Sequence, residues 1–443
     1  MKYNFDKETN RFNTSSYKWD VKENELPMWV ADMDFETSPA IVKGFKKRID
    51  HGVFGYVALS DDFYNSYIYW FKKRHHFNIK KEWIIFSTGV IPTLSSAIRR
   101  VSEVANNIVI MTPVYNIFFN SILNNGRHVL TSPLIYKDGK YEIDFIDLEA
   151  KLALEETTVL ILCNPHNPVG KIWSKDELDK IGKLCAKYNV TVISDEIHGD
   201  LTRTGLEYIP FASVSKLNAE ISITCVAPTK AFNLAGIQTS AIIIPNPKLK
   251  HLVERGLNTD ECAEPNVLAE IAPFLAYKES EDWLDELRLY LDENIREVNE
   301  FIKNQLPQIA LIKCEATYLL WLDCSKITKD ADKLQAYIRE TTGLYLSSGS
   351  IYGKEGNTFL RMNIATTKAR VIDGLKRLKK AIDSYKENWN INKKEWKLQG
   401  FHSFYIVFSF FRNLYKQSFS YGQWLQQQQM MVRHFSRQIR QLF

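Results

Sequence analysis

No stretch of the chain approaches the roughly 20 consecutive apolar residues that a membrane-spanning helix needs. The opening residues, Met1-Lys2-Tyr3-Asn4-Phe5-Asp6, lack the apolar core of a secretory signal. Cysteine is sparse: six, at 163, 185, 225, 262, 314 and 324, with no CxxC spacing and no close pairs. That pattern excludes a disulfide framework and a cysteine zinc site, and it reads as reduced thiols in a soluble, cytoplasmic protein with no bound metal. Internal repeats are absent, which removes solenoids and propellers. Nothing in the composition is extreme, since 45% of residues are hydrophobic, 13% aromatic and 25% charged. Disordered and fibrous chains are thereby excluded, and 443 residues leave room for two or three domains with real cores.

The net charge of +5 averages two unlike parts. Residues 387–443 hold eight Lys/Arg against two acids, so that tail carries +6 and the first 386 residues sum to −1. A body without basic character gives nucleic acid nothing to bind. The tail also contains Phe404-Tyr405-Ile406-Val407-Phe408 and Gln426-Gln427-Gln428-Gln429. It reads as an atypical extension, and no role is assigned to it.

Short β-branched runs alternate with helical stretches through the middle of the chain. Ile84–Ser87, Ile108–Met111, Thr158–Cys163, Val190–Asp195, Ile221–Val226 and Ala241–Ile244 read as strands, with helices over Ile91–Val104 and Lys175–Tyr188. Near-continuous apolar strands separated by helices predict an α/β fold with a parallel or mostly parallel sheet covered on both faces. From about Glu281 the rhythm changes. A long charged helix over Glu281–Asn304 precedes strand-like Ala316–Leu322 and Thr358–Asn363. A helix over Lys368–Tyr385 follows, with Val371, Leu375, Leu378 and Ile382 on one face. The expected division is an arm with part of a small domain over 1–50, a large domain over 51–285, a small α+β domain over 286–386 and the tail.

Ligands of such sheets bind beyond the carboxyl ends of the strands. Four clusters stand there. Ser87-Thr88-Gly89-Val90-Ile91 takes a strand into a helix whose free amides suit a phosphate, although one glycine before a helix is also an ordinary turn. Asn164-Pro165-His166-Asn167-Pro168-Val169-Gly170 is a rigid loop that would hold the Asn167 amide ready to donate to an oxyanion. Asp195, ending a buried strand, needs a cation or donor, such as a protonated ring nitrogen, unless it only caps a helix. His198 is either a ligand contact or a structural histidine. Lys230, in Ala227–Gly236, lies between a strand end and an apolar segment, where lost hydration would lower its pKa and favour Schiff-base chemistry.

In this order the clusters resemble the fold-type I pyridoxal 5′-phosphate enzymes of the aspartate aminotransferase superfamily, and Asn164–Gly170 matches their NPxNPxG loop. Within that superfamily the chain is similar to the MalY/PatB-type cystathionine β-lyases. The likeness is carried by Met28–Phe35, Phe54-Gly55-Tyr56, Asn164–Gly170, Asp195–His198 and Lys230–Gly236, and it runs from about residue 3 to 385. The resemblance implies the fold-type I architecture, with a mostly parallel seven-stranded sheet in a large domain and a smaller C-terminal α+β domain. It makes Lys230 the catalytic, imine-forming lysine and Asp195 the partner of the pyridine nitrogen. Asn167 becomes the donor to the cofactor's O3′ and Tyr115 the aromatic stacked on its ring. Gly89, Val90 and Ile91 form the phosphate turn, with Thr229 and His198 as further cofactor contacts. Tyr56 would reach the phosphate of a neighbouring subunit, which implies a homodimer with shared sites. Arg361 would clamp the substrate carboxylate, beside Trp29; read from the residue alone, Arg361 could equally form a surface ion pair.

Two positions depart from the wider superfamily. Gln238 stands where many aminotransferases have an arginine for the phosphate, which is similar to the lyase branch. Serine replaces the expected proline before Gly349 in Leu346-Ser347-Ser348-Gly349, on a loop bordering the substrate. The implied activity is β-elimination from an S-substituted L-cysteine, with L-cystathionine as leading substrate. An aminotransferase on the same fold, or a cofactor-binding regulatory protein with weak lyase activity, are the alternatives.

Overall fold

Strand Thr157–Cys163 shows why the sheet forms. Val159 and Ile161 pack into one apolar cluster while Leu160 and Leu162 pack into another, so period-two alternation buries both faces. A computed structural model describes residues 2–385, and the tail over 387–443 lies outside them. The seven-stranded sheet comprises β1 (Ile84–Ser87), β2 (Asn107–Ile110), β3 (His128–Thr131), β4 (Thr157–Cys163), β5 (Thr191–Asp195), β6 (Ser222–Val226) and β7 (Ser240–Ile243). Their order is β1-β7-β6-β5-β4-β2-β3. Helix Val90–Val101 supplies Leu94, Ala97 and Ile98 to one face, and helix Lys175–Lys187 supplies Leu178, Ile181 and Cys185 to the other. The second helix opens on a capping box, with Ser174 and Glu177 each bonding the other's backbone amide.

Only β7 runs against the rest, antiparallel to both β6 and β1. A parallel return needs a crossover of a dozen or more residues, usually a helix. Residues 227–239 instead carry the lysine loop and one 3₁₀ turn at Ala235–Ile237, so the chain comes straight back. The edge strand β3 went unread in the sequence because its four residues, His-Val-Leu-Thr, include only two apolar ones.

The second sheet is antiparallel, in the order β8-β9-β11-β10, from β8 (Ala310–Leu311), β9 (Leu319–Asp323), β10 (Ser347–Ser348) and β11 (Phe359–Asn363). The strand expected from Ala316 begins at Leu319. Glu315 and Ala316 both donate their amides to Gly170 O, at 2.8 and 3.0 Å, and Thr317 turns with φ 73°. Gly170 itself has φ 70°, and a Cβ there would lie 3.2 Å from both Ala316 O and Cys314 Sγ, so this close approach needs glycine. Helix Val90–Val101 also stops three residues short of the expected Val104. Ser102 Oγ donates back to Ile98 O and accepts from Arg127 Nε, and its backbone is extended. Helices Glu281–Gln305 and Lys368–Ser384 follow the sequence reading to within a residue, and Val371, Leu375, Leu378 and Ile382 are buried. Among the described residues no helix is long and apolar enough to cross a membrane.

Candidate active site

Because β1, β4, β5 and β6 point the same way, the segments that follow them converge at one edge of the sheet. Gly89 leaves β1, Asn167 follows β4, Asp195 ends β5, and Lys230 follows β6. Across from this edge lies a ribbon of chain, residues 28–35, here termed the strap.

Lys230 is partly buried, and its Nζ donates to Ala31 O on the strap at 2.6 Å. Burial lowers its pKa to about 8; the nearby Arg361 charge pushes the same way, while Asp32 and Asp195 oppose it. Asp195 is 5% exposed, and one carboxylate oxygen accepts from Ile197 N at 3.2 Å, its one hydrogen-bond donor among the described residues. Burial raises its pKa to about 6 against the pull of that bond and of Lys230. His198 is also buried, and burial, followed by the Lys230 and Arg361 charges, holds its pKa down at about 3. The ring is therefore neutral near pH 7, and its Nδ1 has no hydrogen-bond partner among the described residues.

Asn167 is buried, and its Oδ1 accepts from Arg361 Nη1 at 3.1 Å, which leaves the amide nitrogen as the end free to donate. Arg361 is 5% exposed although the sequence allowed a surface ion pair. Its Nη2 donates to Trp29 O at 2.9 Å, its guanidinium lies 4.8 Å from the Tyr352 ring centroid, and its Nε has no partner among the described residues. Trp29 thus meets Arg361 through its carbonyl, while its indole stacks on Tyr345 at 4.9 Å and donates to Lys18 O. Tyr115 is partly buried at the same sheet edge, and burial pushes its hydroxyl up to about 12. Thr229, nearly buried, receives the Leu234 amide on its carbonyl. Gly89 precedes the 12-residue helix Val90–Val101, whose start carries no side-chain cap.

Tyr56 is fully exposed, on a stretch without regular structure that also exposes Val53 and Phe54. A single chain therefore does not bring it to this site. Gln238 is exposed with left-handed backbone, φ 58°. Ser347, beside the departing Ser348, lies opposite Arg361 in the β10–β11 register and donates to Trp29 O at 3.1 Å.

Sequence reasoning missed most of what holds the strap. Asn363 Nδ2 donates to Val30 O and Asp32 O, at 2.5 and 2.6 Å. Asn233 accepts from Met33 N and donates to Met33 O and Phe35 O. Tyr318 OH donates to Ala31 O at 3.1 Å. Asp32 is gripped by both Nη atoms of Arg11, and Asp34 by Lys18 and Arg11. Asn233 lies in the Lys230–Gly236 motif and Asn363 ends the expected strand Thr358–Asn363, but an asparagine that serves carbonyls looks no different in sequence from any other. Glu196, next to Asp195, was also passed over. It accepts from Phe211 N, Ser194 Oγ, Asn164 Nδ2 and Tyr208 OH, and burial still raises its pKa to about 7.

Residues 24–378 match the family described as aminotransferase class I and II. The chain is 42% identical to the cystathionine beta-lyase PatB of Bacillus subtilis, over 86% of this chain and 100% of that one. It is 32% identical to protein MalY of Escherichia coli, covering 86% and 99% respectively. Among solved structures it is similar to cystalysin from Treponema denticola, which contains a pyridoxal 5′-phosphate cofactor. There the identity is 34% and the TM-score 0.84, over 87% of this chain and 100% of that one.

Proposed function

From the premise that this chain belongs to the class I and II aminotransferase family, we propose that it is a carbon–sulfur β-lyase. It would use pyridoxal 5′-phosphate to cleave S-substituted L-cysteines, L-cystathionine foremost. The overall change consumes one water and yields a thiol, pyruvate and ammonia. The observation that carries this reading is that a partly buried amine, Lys230, and a buried carboxylate with one backbone donor, Asp195, stand at the same sheet edge, each with its pKa shifted by lost hydration. The likeness to PatB supports the lyase over an aminotransferase.

The residues present fit the cofactor. Asp195 has one backbone donor and acceptor capacity left for a cationic N–H, His198 Nδ1 is unpartnered among the described residues, and an uncapped helix start suits an anion. Lys230 would hold the group covalently, Asp195 would pair with its ring nitrogen, and the amides of Val90 and Ile91 would take its phosphate. Asn167, His198, Thr229 and Tyr115 would line it. Once bound, pyridoxal 5′-phosphate supplies an electron sink for the charge left when the substrate Cα loses its proton.

The chain's own part is positioning and proton transfer. Arg361, held by Asn167 and Trp29 O and backed by Tyr352, presents a planar fork to the substrate carboxylate. That grip aims the Cα–H at Lys230 Nζ. An amine with a pKa near 8 is a competent base near neutrality, so Lys230, once the substrate's own amine had taken its place on the cofactor, would take that proton, and the Cβ–S electron pair would leave on sulfur. Exposed Val53, Phe54 and Tyr56 support a homodimer in which Tyr56 serves the partner's site.

The test is to incubate the cofactor-loaded protein with L-cystathionine and no keto acid, and to measure pyruvate and free thiol. Equal amounts over many turnovers are expected. Neither product, with amino transfer appearing once 2-oxoglutarate is added, would assign the protein to the aminotransferases instead.

A further inference from the structure

Ala31 O, at the centre of the strap, accepts two hydrogen bonds: one from Lys230 Nζ at 2.6 Å and one from Tyr318 OH at 3.1 Å. Tyr318 is fully buried and reaches the site from the second sheet, just before β9. The carbonyls on either side are held without the lysine: Val30 O accepts from Asn363 Nδ2 and Asp32 N, and Asp32 O from Asn363 Nδ2 and Lys18 Nζ, so of these three Ala31 O is the one that has Lys230 as one of its two donors. This arrangement poses a conflict for the reaction. Any covalent or proton-transfer role draws Lys230 Nζ away from Ala31 O, and a partly buried carbonyl stripped of its donor is destabilising. A second donor removes the conflict.

We propose that Tyr318 is a positioning residue for Lys230: by sharing the Ala31 carbonyl it keeps the strap seated when the lysine nitrogen departs, and it weakens that carbonyl's hold on the ammonium. The weakening follows from electrostatics. A carbonyl oxygen already polarised by a hydroxyl hydrogen offers less negative potential to a second donor. The groups facing Lys230 are Asp32 on the strap, Arg361 on β11, Asp195 on β5 and His198 after it; those facing Tyr318 are Asp32, Arg361, Tyr115 and the edge-on ring of His198, 6.4 Å away between centroids. None of them donates to Ala31 O, so none replaces the tyrosine in this role. The inference rests on the pyridoxal 5′-phosphate reading above.

Its test compares wild type with Tyr318→Phe, which keeps the ring and removes the hydroxyl. Cofactor-free protein is mixed with pyridoxal 5′-phosphate across pH, and the absorbance band of the lysine–cofactor adduct gives a capture rate and its pH midpoint. In Tyr318→Phe the midpoint should rise by about half a unit, with capture below it about threefold slower. A midpoint equal to or below that of wild type overturns the proposal. The adduct is then fixed by borohydride, and amide hydrogen exchange is read at Asp32, Met33 and Asp34. Wild type should keep its strap protection to within about twofold on capture, whereas Tyr318→Phe should lose about tenfold. Loosening of the wild-type strap by that amount would overturn the proposal even if the variant failed to fold. A wild type that forms no adduct band would overturn the cofactor reading, and this inference with it.

Discussion

The site has two walls built on different principles. One is the carboxyl edge of the seven-stranded sheet, where Asn167, Asp195 and Lys230 each follow or end a parallel strand, so their convergence is a consequence of topology. The other is the strap and the second sheet, where Arg361, Ser347, Asn363 and Tyr318 meet backbone carbonyls of residues 29–32. The first wall places charges in a dry setting and shifts their pKa values. The second sets distances, by occupying nearly every acceptor on the strap. Chemistry should therefore fail when the first wall is altered, and geometry when the second is.

Removing Lys230 gives the largest expected effect. Lys230→Ala loses both the covalent attachment and the base, and base catalysis alone is worth about 10²–10⁴-fold. Turnover of L-cystathionine should become negligible; retention of more than a few per cent would contradict the assignment. Next comes Arg361, which belongs to both walls through Asn167 and Trp29. Arg361→Lys keeps the charge but loses the fork and leaves acceptors unpaired, so KM should rise by about tenfold to a hundredfold, roughly 1.4–2.8 kcal/mol. Steady-state kinetics decide it, and an unchanged KM would place the carboxylate elsewhere.

The two asparagines of the strap sharpen the comparison. Asn363→Ala removes the side-chain donor shared by Val30 O and Asp32 O, leaving them Asp32 N and Lys18 Nζ, and should cost about 1–2 kcal/mol in denaturant unfolding of the described fold. It should also raise KM more than it lowers cofactor capture, because Asn363 sits on the strand that carries Arg361. Asn233→Ala, on the lysine side, should do the reverse. If both variants behave alike, the strap acts as one rigid body rather than as two separately held halves.

The smallest effect concerns the adjacent buried acids. Asp195 and Glu196 have folded pKa values raised to about 6 and about 7, above those of the unfolded chain. Between roughly pH 4 and 7 the native state therefore binds more protons, and this part of the stability falls as pH rises. Glu196→Gln should flatten the slope over the upper part of that window by on the order of 2 kcal/mol. Urea unfolding at pH 5 and pH 7 measures it, and an unchanged slope would mean that the four donors around Glu196 already hold it ionised. The contrast with Asp195, which has one backbone donor, is that Glu196 is satisfied from within the protein whereas Asp195 is left for a ligand.

Much of the first wall is legible in the amino-acid sequence alone. The alternation in Thr157–Cys163 and the turn residues of Asn164–Gly170 dictate a buried strand and a rigid loop at its end, whatever surrounds them. The setting of Lys230 implies desolvation, and the side chain is indeed desolvated. The reversal of β7 is not legible, because nothing in Ser240–Ile243 distinguishes a parallel strand from an antiparallel one buried on both faces. Its direction depends on how residues 227–239 return across the sheet edge.

What the sequence determined by itself were local matters: which segments bury two faces, where strands end, and which chemically able side chains stand at those ends. Periodicity and turn chemistry are properties of neighbouring residues, so they survive without knowledge of the fold. Only the tertiary structure decided that Arg361 points at Asn167, that Trp29 contributes a carbonyl to Arg361, and that Ala31 O is shared by Lys230 and Tyr318. Every residue carries the same carbonyl, and residues 31 and 318 are far apart in the chain. A contact made through that common atom leaves no mark in the sequence and exists only once packing has brought the two segments together.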